Sequence, residues 1–233
     1  MVLVVDIEGV GDEISLQPVL SVGWVVCARI KFDDTSKIEE EIFEKGRVSF
    51  QSEFRSGDEA NKRRHTNLLA AADGVDRPGR SGPEITTVNG WIFSRRCWDE
   101  FWCKQPYTLL AQLMTEAKIP EAAIREFLEV EKRWPVGEVM SDNPAYDLTR
   151  LDFAIERYSD RNYGMHFTRT GKYRTVSDPS EVYHHLPLEV RSKIVPEPAA
   201  THFPDDDALD IYRFAIKVKN AINDWSAKRA RIL

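Results

Sequence analysis

The opening eight residues constrain the chain most: Val2, Leu3, Val4 and Val5 run without polar interruption into Asp6-Ile7-Glu8. A short apolar run of this kind reads as a buried strand. Successive strand side chains point to opposite faces, so Asp6 and Glu8 share one face while Ile7 points to the other and stays in a core. Two anions on one strand end repel each other and favour a nearby cation, and carboxylate oxygens are the preferred ligands of Mg2+ and Mn2+. The plainer alternative is a pair of solvated acids at a strand end. Which of the two holds depends on what the rest of the chain brings to that place.

Beyond Glu8, the stretch Gly9-Val10-Gly11-Asp12-Glu13 is a turn. A second apolar run from Val19 to Ile30 follows it, predicting an antiparallel hairpin. Ile38, Ile42 and Phe43 mark a third strand. Residues 53–90, rich in Gly and Pro among charges, read as a long irregular insertion with one short helix over 68–72. Two helices, 107–118 and 121–134, each open after a proline. A short buried strand over 136–140 and a turn at 141–144 then lead into a helix with Asp147 in its first turn. That places Asp147 just past a strand's carboxyl end, where open α/β sheets carry their sites. An edge segment is expected at 173–177, and the proline-bearing stretch up to Thr201 reads as non-repetitive. The last helix, about 206–225, shows an apolar stripe through Ala208, Ile211, Tyr212, Ala215 and Val218. The expectation is a single α/β domain, 1–233, with an insertion at about 53–90.

Composition narrows the function classes. With 233 residues and 42% hydrophobic content the chain can bury a substantial core. A net charge of -6 argues against holding nucleic acid by global charge alone. The stretch 45–104 is locally basic, with 11 Lys and Arg against 8 Asp and Glu. Three cysteines, Cys27, Cys97 and Cys103, lack a metal-ligand spacing and fit a reducing compartment. With no apolar run long enough to span a membrane and no basic leader before the first strand, a soluble, cytoplasmic protein is expected. Trp98 and Trp102 lie four apart, so on a helix they would share one face. Two readings are open for them: core packing, or a stacking surface for bases beside Arg95 and Arg96.

Before the last helix stands Thr201-His202-Phe203-Pro204-Asp205-Asp206-Asp207-Ala208. Aspartates at a helix start answer the macrodipole and the free N–H groups. A histidine five residues before Asp207 can also stand beside that carboxylate as a base near neutrality. Taken in order, Asp6-x-Glu8, Asp147 within Ser141-Asp142-Asn143-Pro144-Ala145-Tyr146-Asp147, and His202-x4-Asp207 resemble the three motifs of the DEDDh group of DnaQ-like 3'-5' exonucleases. Val22-Gly23-Trp24-Val25 resembles the second strand of that family. Trp98 to Gln105 is similar to the WWxxQ-like segment of phage DexA-type exonucleases.

The resemblance implies an RNase H-like fold, with a mixed five-stranded sheet flanked by helices. It implies hydrolysis of single-stranded DNA or RNA from the 3' end, releasing nucleoside 5'-monophosphates, with two Mg2+ or Mn2+ ions as cofactors. Asp6 would bridge both ions, Glu8 and Asp207 would complete the site of the attacking water, Asp147 would serve the other ion, and His202 would take the water's proton. Gly9, Asn143, Trp102 and Gln105 fall on the substrate side, and Gly9 stands where many members carry Thr. Asp142, Asp205, Asp206 and Asp210 are expected to be turn or cap residues. Two alternatives remain: a nucleic-acid-binding or scaffolding protein on the same fold, and a proofreading subunit docked to a polymerase. A dinucleotide site at Gly9-x-Gly11 fails, because the third fingerprint glycine would be Ile14 and two carboxylates would face the pyrophosphate.

Overall fold

A computed structural model describes residues 1–11, 19–31, 36–51, 85–88, 91–159, 175–195 and 201–230. Its first elements are strands β1 (Val2–Gly9), β2 (Val19–Cys27), β3 (Ile42–Ser49), β4 (Ile85–Val88) and β5 (Trp91–Ser94). Helix α1 (Arg95–Glu100), a 3-10 turn (Trp102–Lys104), α2 (Tyr107–Thr115) and α3 (Pro120–Arg133) come next. Strand β6 (Glu138–Met140), α4 (Pro144–Tyr158) and β7 (Thr175–Ser177) precede α5 (Pro179–His185), α6 (Leu188–Arg191) and α7 (Pro204–Ala230). The architecture is α/β, with a mixed, open five-stranded sheet of order β3-β2-β1-β6-β7 flanked by helices. β1 pairs antiparallel with β2 and parallel with β6, so the run Val2 to Val5 occupies the centre of the sheet. None of the described helices is long and apolar enough to cross a membrane.

The central position follows from a strand that is apolar on both sides. Val2 and Val4 face α7, meeting Ala208, Ile211, Tyr212 and Ala215. Leu3, Val5 and Ile7 face α3 and α4, in a core with Phe127, Leu128, Leu148, Leu151 and Ile155. Val2 through Val5 are wholly buried. Full burial of each such side chain stabilises by about 1.5–3 kcal/mol, enough to carry the acids at the strand's end into the protein with it.

Several boundaries differ from the sequence expectation, each for a physical reason. α2 stops at Thr115 rather than 118 because the backbone of Lys118 is taken up by the end of the sheet. Its N–H donates to Ser49 O at 2.8 Å and its carbonyl accepts from Gln51 N at 2.7 Å. α1 stops at Phe101, whose φ of -128° and ψ of -74° are not helical, so Trp98 and Trp102 do not share one helix face. Both instead pack on Phe93, at centroid distances of 5.2 and 6.1 Å. The end of the expected irregular insertion forms β4, paired with β5; its proposed helix at 68–72 lies outside the described residues. The stretch after Ser177, expected to be non-repetitive, contains α5 and α6. Its signal was Asp178-Pro179-x-Glu181, for the Asp178 carboxylate accepts from Ser180 N and Glu181 N as an N-cap with proline at the first helical position.

One row across the sheet decides where α7 begins. Arg47, Gly23 and Asp6 are direct partners on β3, β2 and β1. A Cβ on Gly23 would stand 2.0 Å from the carbonyl carbon of Pro204 and 2.1 Å from Asp205 N. The missing side chain is what lets the first turn of α7 rest directly on the sheet beside Asp6. Those opposing atoms are backbone and cannot rotate away. Gly23→Ala is therefore expected to displace the helix start and destabilise the fold by about 1–3 kcal/mol. Urea unfolding measures this, and an unchanged midpoint would show that α7 does not depend on the contact.

Candidate metal centre

Three elements deliver acids to one cavity of about 530 Å3 at the carboxyl end of β1. β1 supplies Asp6 and Glu8. The turn after β6 and the first turn of α4 supply Asp147, where Asn143 O accepts from both Tyr146 N and Asp147 N at 2.9 Å and starts the helix. Ser141 Oγ donates to Asp147 Oδ2 and accepts from Asn143 N at 3.0 Å, tying the carboxylate to its own turn. The first turn of α7 supplies Asp207, whereas Asp205 and Asp206 turn away toward Arg47 and Lys45.

Asp207 also builds the loop in front of it. Its Oδ1 accepts from Thr201 N at 2.8 Å and Thr201 Oγ1 at 3.1 Å, and its Oδ2 accepts from His202 N at 2.9 Å. His202 adopts a φ of 59°, in the left-handed region. That conformation costs a non-glycine residue about 1–2 kcal/mol, which these bonds offset. The loop aims the imidazole at β1: Nδ1 lies 3.4 Å from Glu8 Oε1 and 4.0 Å from Asp207 Oδ2. Phe101 packs edge-on against the ring, with centroids 4.6 Å apart.

The potential ligand atoms fall into two groups, Glu8 with His202 and Asp207, and Asp6 with Asp142 and Asp147, each within 4.8 Å. Asp142 corrects the expectation that it is only a turn residue, since it adds a fifth carboxylate beside Asp6 and Asp147. Its signal was its place in the turn that starts α4, next to Asn143. Asp210 also lines the cavity and lies 3.6 Å from Arg213.

Electrostatics follow from this crowding. Burial first, then the charges of Glu8, Asp147 and Asp207, hold the Asp6 carboxyl well above the usual carboxylate range. Burial pushes Asp147 up to about 8 against the Ser141 hydrogen bond, with Asp142 and Glu8 adding to the rise. Burial raises Glu8 as well, and His202 opposes it. His202 is itself raised by its hydrogen bond to Glu8 and by the charges of Glu8 and Asp207. A cluster of this kind favours protons or cations at its centre.

The residues expected on the substrate side divide. Gly9 and Asn143 line the cavity. A Cβ on Gly9 would meet Arg150 Nη1 at 2.6 Å and Tyr146 Oη at 2.8 Å, so glycine there is matched to the pair behind it. The Arg150 guanidinium lies 4.1 Å from the Tyr146 ring centroid and donates to Gly11 O. Trp102 is a correction to the stacking surface: it is 2% exposed and its indole Nε1 donates to Gly9 O at 2.9 Å. It supports the end of β1 from behind and offers no ring face to the cavity. Gln105 follows it, half-buried, and is not among the lining residues. Phe101, Tyr146 and Arg150 were missed. The spacing of Tyr146 and Arg150, four apart on a helix, was the available signal.

No family model matches the chain, and no curated protein matches it. The finding that stands is a largely buried acidic cluster whose donors could bind a metal ion.

A carboxyl raised on folding costs nothing at low pH, where folded and unfolded states are both protonated, and progressively more as pH rises toward its folded pKa. Asp147 spans 3.8 to about 8. His202, raised from 6.5, adds stability below that pH that is lost as pH climbs through its folded value. Both effects act in one direction. The metal-free chain should lose stability between about pH 4 and 8, less so as Asp147→Asn, and Mg2+ or Mn2+ should flatten the decline. Urea titrations across this range check it, and a decline unchanged by Asp147→Asn would contradict it.

Proposed function

We propose that the chain is a metal-dependent 3'-5' exonuclease of RNase H-like fold, acting on single-stranded nucleic acid. The observation that carries the reading is the meeting of Asp6, Glu8, Asp147 and Asp207 at one strand end, with His202 turned onto Glu8. These five residues come from separate parts of the sequence and belong to the three motifs of the resemblance. The order of the sheet, with β2 antiparallel to both of its neighbours β1 and β3 and with β6 and β7 parallel to β1, is compatible with that fold.

The donor set suits Mg2+ or Mn2+, because five of its six groups are carboxylates, the hard oxygen ligands these ions take. Asp6, Glu8, Asp147 and Asp207 would hold two ions, with Asp142 as an added oxygen donor beside Asp6 and Asp147. When bound, such ions neutralise charge on the attacking and leaving oxygens of a phosphodiester.

The remaining roles belong to the chain. His202 has Nδ1 toward Glu8, which orients the ring and leaves Nε2 to accept a proton from water. The water oxygen joins phosphorus and the P–O3' bond breaks. The departing 3'-oxygen gains a proton, and a nucleoside 5'-monophosphate is released. Asp207 holds the His202 backbone, and the Phe101 ring limits where the imidazole turns. A cavity of about 530 Å3 accommodates a nucleotide-sized group.

A 5'-labelled single strand with Mg2+ should give a descending ladder, abolished by chelator and by Asp6→Ala. Parallel DNA and RNA strands assign the substrate. His202→Ala should lower the rate by about 10^2–10^4 while metal binding persists; loss of metal with that variant would make His202 a ligand. A strand that is bound but never shortened with any divalent ion would favour the nucleic-acid-binding reading.

A further inference from the structure

We propose that Arg47 is a positioning residue for His202, acting from β3, two strands from Asp6, without touching the cavity. Arg47 projects from β3 in the row that continues through Gly23 to Asp6. Its Nη1 lies 2.9 Å from Asp205 Oδ1, and its Nη2 lies 3.0 Å from Glu116 Oε2 at the end of α2. Its Nε also reaches Glu116 Oε2, at 3.2 Å. The guanidinium carbon stands 4.7 Å from the centroid of the Phe203 ring. One side chain thus grips the residues on either side of Pro204, which rests on Gly23.

His202 immediately precedes the gripped segment and has a left-handed backbone. Such a conformation persists only where its surroundings over-determine it. Asp207 holds Thr201 and His202 from the helix side. Phe203 O accepts from Asp206 N and Asp207 N at 2.9 and 3.0 Å, so fixing Phe203 fixes the helix start. Arg47 holds Phe203 from the sheet side. An exposed ion pair, such as the one to Glu116, would contribute little, but Arg47 is half-buried, its pair with Asp205 is largely shielded, and it forks to a second element and stacks on a ring as well. Lysine at this position could keep one ion pair but neither the fork nor the planar stack.

The kinetic part of the test rests on the nuclease reading, and a second part does not. Arg47→Ala should lower kcat by about ten- to hundredfold, as expected of a small misplacement of a catalytic group, with KM within about twofold. Arg47→Lys should recover part of the loss. Independently of activity, amide hydrogen exchange at Thr201 and His202 should accelerate in Arg47→Ala while the amides of Val4 and Val5 keep their protection. If Arg47→Ala loosens β1 too, Phe203→Leu, which removes the ring and leaves both ion pairs, should still accelerate exchange at Thr201 and His202. Unchanged exchange there in a folded Arg47→Ala protein, or in Phe203→Leu where that variant decides, overturns the proposal. So does an unchanged kcat in an active enzyme. If the wild type degrades no strand, the nuclease reading fails while the exchange measurement still decides the role of Arg47.

Discussion

The structure depends on holding mutually repelling carboxylates together at the end of its central strand. Two unit charges about 4 Å apart repel by about 4 kcal/mol at an effective dielectric of about 20. Asp6, Glu8, Asp147 and Asp207 share one cavity, where burial also penalises the charges of Asp6, Glu8 and Asp147. His202 offsets part of this at Glu8, and Ser141 part at Asp147. What remains is relieved by protons, which explains the raised carboxyls, or by divalent cations.

The fold supplies the force that keeps the acids there. Val2 through Val5 pack on both faces of the sheet, so β1 cannot retreat without opening two cores. α4 grows from the turn that carries Asp147, its apolar side fixed against Leu3, Val5 and Ile7. α7 approaches the sheet closely because Gly23 has no side chain, and that approach brings Asp207 beside Asp6 and Glu8. Asp207 in turn orders the loop that aims His202. Substitutions outside the cavity lining, at Gly23 or Arg47, are therefore expected to act on the same centre as the acids themselves.

Much of this was legible in the residues, and the misses have physical causes. The run into Asp6 and Glu8, the hairpin, the helix carrying Asp147 and the last helix are strong periodic signals of local origin, and all are present. Choosing Asp207 over Asp206 and Asp205 depended on the motif, and the cavity takes Asp207 while Lys45 and Arg47 take the other two. The paired tryptophans misled because helical spacing assumes an unbroken helix, and α1 ends between them. Asp142 was passed over because a turn aspartate has a sufficient local explanation. Its approach to Asp6 is a long-range fact. The match of Gly9 to Arg150 and Tyr146, and the grip of Arg47 on the start of α7, join segments far apart in sequence and leave no local pattern.

A buried acidic centre, a histidine aimed into it from a strained loop and a nucleotide-sized cavity together support metal-assisted phosphodiester hydrolysis. The claim beneath that reading is that these carboxylates exist to bind cations. Calorimetric titration of the chain with Mn2+ near neutral pH tests it most directly. Two ions per chain are expected, with binding reduced by Asp147→Asn and strongly impaired by Asp6→Asn. Absence of binding to the wild type, or binding that survives both substitutions unchanged, would contradict the account.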